Sequence, residues 1–167
     1  MFKLFSNTNM FKLIQSGIIL VLGFDVVYSC CPNGWVTFEN SCYFSGHEGL
    51  SFQEAGRYCE HFKAYLVNIE TPVENIFIKS YLADLKEPKH WIGLTDITIE
   101  GIWNYYPSEK AATYLNWSPG QPDEHKRANC AAVWESYSYN WVDQPCTEHF
   151  RPLCEKPLES ETTNIVG

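Results

Sequence analysis

"CAAVWESYSYNWVDQPCTEHFRPLCEK", residues 130–156, is the stretch whose reading decides the fold. Three runs within it, 130–134, 139–143 and 151–155, are short and rich in aromatic and β-branched residues. Turn-forming segments separate them, which is the pattern of short strands. Cys130, Cys146 and Cys154 stand in or beside these runs. Seven cysteines in a chain with an export signal point to disulfides, because an oxidising compartment preserves them and a small core gains from cross-links. Six can pair and one is left over. No Cys-x-x-Cys occurs, and the histidines show no zinc-type spacing with cysteine, so a structural zinc site is not expected.

Upstream, further strand-like runs lie at 64–69, 91–94 and 102–106. Two helix starts precede or interrupt them. Ser51-Phe52-Gln53-Glu54 and Thr71-Pro72-Val73-Glu74 each place a hydroxyl three residues ahead of a glutamate, and Pro72 sits at the favoured first helical position. Helical spacing then predicts an inward stripe of Phe52, Ala55, Cys59 and Phe62 on the first helix, and of Val73, Ile76, Phe77 and Tyr81 on the second. Long irregular connections remain, above all 107–129. Loops of that length in a domain this small carry function or lack order, and the Pro, Gly and aromatic content favours an ordered, functional one.

The amino terminus, "MFKLIQSGIILVLGFDVVYSC" (10–30), has the basic start, apolar centre and small-residue exit of a secretory leader, and its apolar run is too short to span a bilayer. The expected organisation is a leader at 1–29, one domain at 30–155 and a disordered acidic tail at 156–167. The product is expected to be secreted and extracellular, with no membrane span. The chain carries 12 Lys and Arg against 20 Asp and Glu, a net charge of −8, and loss of the leader removes two lysines and one aspartate. Such a balance argues against nucleic acid as a partner; it suits cations or mineral faces, or serves solubility alone. Six Trp, ten Tyr and ten Phe indicate a densely packed domain.

Taken in order, "CPNGWVTFENSCY", the helix bearing Cys59, "WIGLTD", "EGIWNY", "NWSPGQPD", "NC", "NWVDQPC" and "RPLCEK" resemble the C-type lectin domain. The resemblance covers everything between leader and tail. It implies an α+β C-type lectin-like fold of two helices and short antiparallel strands with long irregular loops. It also implies the pairs Cys31–Cys42, Cys59–Cys154 and Cys130–Cys146, where the sequence alone leaves fifteen connectivities open. Cys30 is then unpaired, to form a disulfide-linked dimer, to leave with the leader or to replace Cys31. As a short secreted form, the chain further resembles perlucin-like proteins of molluscan shell.

The same resemblance implies a calcium-dependent sugar site on the long loop. Calcium takes six to eight hard oxygens, so the protein must supply several and leave positions open. Gln121 and Asp123 match the loop pair, about a proline that the family holds cis, and Asp143 matches a third ligand. Gln-Pro-Asp looks like the galactose-type order. Exchanging the amide and the carboxylate exchanges a donor for an acceptor, so the implied glycans carry galactose or N-acetylgalactosamine. Ala128 and Val142 stand where the family has a glutamate and an asparagine, and neither offers a side-chain oxygen. An accessory calcium site maps onto Asp96, Glu100, Glu124 and Asn129, against a simpler reading in which Asp96 and Glu100 cap a turn near Gly101. His125 is the one ring after the proline able to stack on a sugar, against a solvated loop histidine.

The expected function is therefore galactose-type carbohydrate binding through a weakened calcium site. The alternative is a shell or extracellular matrix protein contacting calcium carbonate or matrix proteins with a vestigial sugar site. An enzyme is not expected: the chain has no His-Glu-x-x-His, phosphate-binding glycine loop or Gly-x-Ser-x-Gly elbow.

Overall fold

The structure is a computed structural model, and it describes residues 26–29, 31–123, 127–158 and 160–163. The leader expected at 1–29 falls outside these residues up to Asp25, as does Cys30. Val26–Ser29 (β1) pairs with Ser160–Thr163 (β11) in a two-stranded ribbon. The principal unit runs from Ser29 to Ser160.

Both predicted helix starts are present. Helix α1 (Phe52–His61) begins at Ser51, whose N–H donates to Glu54 Oε2 at 3.0 Å. Helix α2 (Pro72–Leu85) begins at Thr71, whose hydroxyl accepts the Glu74 N–H at 3.1 Å. The first stripe is inward as expected, with Phe52, Ala55 and Cys59 fully buried, although Phe62 past the helix end is 37% exposed. The second stripe is inward only in part: Phe77 and Tyr81 are half-buried and pack against the core. Val73 and Ile76 are 58% and 65% exposed, and the buried face is Glu74, Asn75, Ile78 and Leu82. Counting apolar residues misplaced this face because two of its four members are polar and find partners inside the fold.

The strands are β2 (Val36–Phe38), β3 (Ser41–Ser45), β4 (Tyr65–Leu66), β5 (Lys89–Thr95), β6 (Asn104–Tyr105), β7 (Lys110–Ala111), β8 (Cys130–Trp134), β9 (Asn140–Gln144) and β10 (Arg151–Pro157). The run expected at 64–69 contracts to two paired residues. The boundary expected at Glu155 moves outward, because Lys156 and Pro157 continue the register against Cys42 and Ser41, and Leu158 N–H donates to Asn40 O at 2.8 Å. A polar tail composition did not register the strand waiting to pair with it. Strand β10 lies between β3, which it meets antiparallel, and β5, which it meets parallel; β5 also pairs with β6 and β8, and β8 with β9.

Alternation along these strands sorts their side chains onto two faces. Cys130 and Ala132 of β8 join the core under α1, with Phe52, Trp91 and Cys154; Ala131 and Val133 join the core under α2, with Ile78, Ile92 and Trp141. The three disulfides are those the resemblance implied: Cys31–Cys42, Cys59–Cys154 and Cys130–Cys146.

Gly93 shows how closely the strands approach. Its N–H donates to Val67 O at 2.8 Å, and a Cβ there would stand 2.3 Å from Leu66 O. Backbone cannot swing away as a side chain can. Gly93→Ala is expected to cost about 1–3 kcal/mol by overpacking, read as a lower urea midpoint at unchanged slope.

Candidate functional site

The long loop begins its final descent at Asn116, and hydrogen bonds to the sheet decide its path. Trp141 N–H donates to Asn116 O at 3.1 Å and Ser118 N–H to Trp141 O at 2.8 Å, so Trp117 runs beside Trp141 as a parallel bridge. Four rings hold this seam: Trp117 meets Trp103 at 4.6 Å and Trp141 at 6.0 Å, and Tyr114 meets Trp141 edge-on at 5.7 Å. The Trp141 indole donates to Asn75 Oδ1 of α2 at 3.0 Å. Trp103 and Trp141 are buried in the core, and half-buried Trp117 packs against it. The sequon Asn116-Trp117-Ser118 is enclosed in the seam, with the Asn116 amide donating to Asn140 Oδ1 at 3.0 Å and Ser118 6% exposed.

From Ser118 the sequence Ser-Pro-Gly-Gln forms a tight turn, closed by Gln121 N–H to Ser118 O at 2.9 Å, with Gly120 at φ 87°. Proline followed by glycine at positive φ is what a type II turn requires. The Gln121–Pro122 peptide is cis. Together these features aim the glutamine at β9. Gln121 Oε1 accepts the Asp143 N–H at 3.2 Å, and Asp143 Oδ1 accepts the Asp123 N–H at 3.0 Å. The structure thus brings Gln121, Asp123 and Asp143 together. Asp143 is fully buried, Gln121 half-buried and Asp123 exposed. The Asp143 carbonyl accepts from the Gln144 amide at 2.7 Å. Ala128 and Val142 are both 1% exposed, and Val142 packs in the core under α1.

Beside this trio, Asp96 N–H donates to Asn129 O at 3.2 Å, joining two members of the accessory set. Asp96 Oδ2 accepts the Gly101 N–H at 2.8 Å, closing the turn that carries exposed Glu100, so the turn-capping expectation holds for Asp96. Its other oxygen, Oδ1, and Asn129 Oδ1 are buried and have no hydrogen-bond partner among the described residues. Burial raises the Asp96 carboxyl, and the charges of Glu100 and Asp143 add to the rise. Buried acceptors without donors are costly unless something electropositive meets them, and hard oxygens of this kind suit calcium. Glu124 and His125 lie outside the described residues. Among the described residues no three His, Cys, Asp or Glu side chains converge as a metal-binding group, and the donors gathered here include amides as well as carboxylates. What reasoning from sequence missed is the Asn75–Trp141 link, since an asparagine on an outwardly amphipathic helix gives no signal of a buried partner.

A disulfide-stapled α+β domain with a cis-proline loop folded over one sheet edge defines a class of binding module. The chain belongs to the C-type lectin family: the Lectin C-type domain matches residues 48–156. It is 29% identical to the Perlucin-like protein of Mytilus galloprovincialis over 86% of this chain and 99% of that one. It is 35% identical to Perlucin of Haliotis laevigata over 81% and 88%. Among solved structures it is similar to the mouse scavenger receptor C-type lectin carbohydrate-recognition domain, with TM-score 0.71 and 32% identity over 78% of this chain and all of that one. The family is one of binding modules rather than enzymes. No helix among the described residues is long and apolar enough to cross a membrane.

Proposed function

We propose that this protein is a secreted carbohydrate-binding lectin, produced with a leader at 1–29 and using Gln121, Asp123 and Asp143 to hold calcium and sugar. The observation that carries the reading is the convergence of those three residues through the Asp143–Gln121 and Asp123–Asp143 hydrogen bonds. Bound calcium would supply a positive centre to which vicinal sugar hydroxyls coordinate. The chain's own part is orientation. The amide of Gln121 donates to a sugar hydroxyl, the carboxylates of Asp123 and Asp143 accept, and this order favours galactose or N-acetylgalactosamine. Asp96 and Asn129, with Glu100 and Glu124 near them in sequence, form the accessory calcium set, and their two partnerless oxygens support it. Three disulfides suit an extracellular protein.

Two missing oxygens at Ala128 and Val142 put the primary affinity near about 10⁻⁴–10⁻³ M, the range of extracellular modules. On galactose resin in millimolar calcium the protein is expected to be retained and to elute with chelator, and Asp123→Ala, at an exposed position, is expected to abolish retention. No retention, or retention indifferent to chelator, would overturn the reading. The same two apolar residues favour one second reading, a matrix protein with a vestigial sugar site, and adsorption to calcium carbonate that survives Asp123→Ala would support it.

A further inference from the structure

Between the outer face of α2 and the start of the long loop's descent lies a pocket of about 470 Å³ that the lectin reading does not use. That volume is in the range of small-molecule sites. Helix α2 contributes Pro72, Asn75, Ile76, Lys79 and Ser80 to its wall, and the loop contributes Tyr114 and Asn116. None of Gln121, Asp123 or Asp143 lines it. Pro72, Ile76 and the half-buried Tyr114 ring form an apolar side, and an aromatic ring with a polar tip offers both a face for C–H groups and a hydroxyl.

The polar side is rich in donors and carries no carboxylate. Lys79 Nζ donates to Asn140 Oδ1 at 2.8 Å, and the Asn116 amide donates to the same oxygen at 3.0 Å. An ammonium has three donors, so two on Lys79 remain once Asn140 is served. Asn75 stands four residues before Lys79 on α2, hence on the same face. It is 4% exposed, and its Oδ1 is taken by the Trp141 indole at 3.0 Å. Its N–H2 is therefore what it offers the pocket, and no acceptor among the described residues meets that group. A buried donor of this kind calls for a partner from outside the chain. No Asp or Glu lines the pocket, in a chain with 20 acidic residues against 12 basic ones, and Lys79 pairs with no carboxylate among the described residues.

We propose that this pocket is a second saccharide site, independent of calcium, for an acidic pyranose: a sugar ring bearing one carboxylate, as in a hexuronate or a sialate. The carboxylate meets Lys79 and the Asn75 N–H2, ring hydroxyls meet Ser80 and Asn116, and the C–H face of the ring lies on Tyr114 and Ile76. Hydrogen bonds to a charged group are stronger than neutral ones, so the lysine selects for the acid. The apolar wall selects for the ring, which a bare anion lacks. These donors are held before any ligand arrives. Asn140 fixes Lys79, the Trp141 indole fixes Asn75, and the Trp141 N–H fixes the loop wall through Asn116 O at 3.1 Å. Little side-chain freedom is then left to lose on binding.

The test is an NMR titration of the full chain in chelator with glucuronate and with N-acetylneuraminate, beside glucose and acetate. Shifts at Asn75, Lys79, Ser80, Tyr114 and Asn116 are expected to saturate with at least one of the acidic sugars. Glucose, which lacks the charge, and acetate, which lacks the ring, are each expected to bind about tenfold more weakly or worse. Lys79→Gln is expected to lower the acidic sugar's affinity by about tenfold or more, the loss of one charge-assisted contact. Ile76→Asp, at a 65% exposed position, sets a like charge at the lip of the pocket and is expected to weaken binding as well. Absence of saturable shifts at these residues with either acidic sugar would overturn the proposal, as would equal affinity for acetate or for glucose. So would an affinity that Lys79→Gln leaves unmoved, or that Ile76→Asp leaves unmoved should the first variant not fold. Binding that appears only when calcium replaces the chelator would also overturn it, since the sugar would then belong to the calcium site.

Discussion

With Cys59 and Cys154 both replaced by alanine, the domain is expected to lose about 4–5 kcal/mol of stability. The bridge spans a sequence separation of 95 residues, against 11 for Cys31–Cys42 and 16 for Cys130–Cys146. Loop-closure entropy grows with the logarithm of the closed length, so each shorter bridge constrains the unfolded chain less, by about 3 kcal/mol or under. Placement adds to the effect. Both sulfurs are buried beside Phe52, Leu66 and Trp91, and the bond ties α1 to the strand on which β3, β4 and β5 all converge. Urea unfolding of this double variant beside Cys130→Ala/Cys146→Ala decides the point. Equal losses would show that loop length is not the governing quantity.

Trp141→Ala is expected to cost about 3–5 kcal/mol, and to damage the site as well as the core. The side chain is fully buried and meets Tyr114 and Trp117, so its removal opens a cavity under the long loop. It also leaves Asn75, 4% exposed, without the donor its oxygen receives, an unmet acceptor costing about 1–3 kcal/mol. Trp141→Phe separates the two effects, since it keeps most of the volume and loses the N–H. Amide exchange at Ser118, whose N–H bonds to Trp141 O, should accelerate more in the alanine variant than in the phenylalanine one. Unchanged exchange in both would mean that the loop is held independently of the indole.

Much of this architecture was legible because its signals are local or redundant. Hydroxyl–glutamate pairs marked both helix starts within a residue, and the strand at 130–134 was read in full because its apolar run has clear turn signals around it. The loop trio was legible through motif order rather than through chemistry. The buried face of α2 was not, since Glu74 and Asn75 look like surface residues until Tyr43 and Trp141 are brought to them from distant positions. Two-residue strands such as Lys110–Ala111 are likewise invisible locally, because a pair of exposed residues becomes a strand only when a neighbour arrives. The partnerless oxygens of Asp96 and Asn129 also required the fold, which alone determines which polar atoms lose water.

Strand β9 pairs with β8 on one side, and on the other the chain from Asn116 to Ser118 lies along it. An outermost strand left bare is a template onto which another molecule's backbone can add. The segment leading to Gln121 and Asp123 thus doubles as a shield against self-association. Shortening or grafting it to retune sugar preference would expose that margin, and such variants should be screened by light scattering for fibrils and soluble aggregates before any change in their binding is interpreted.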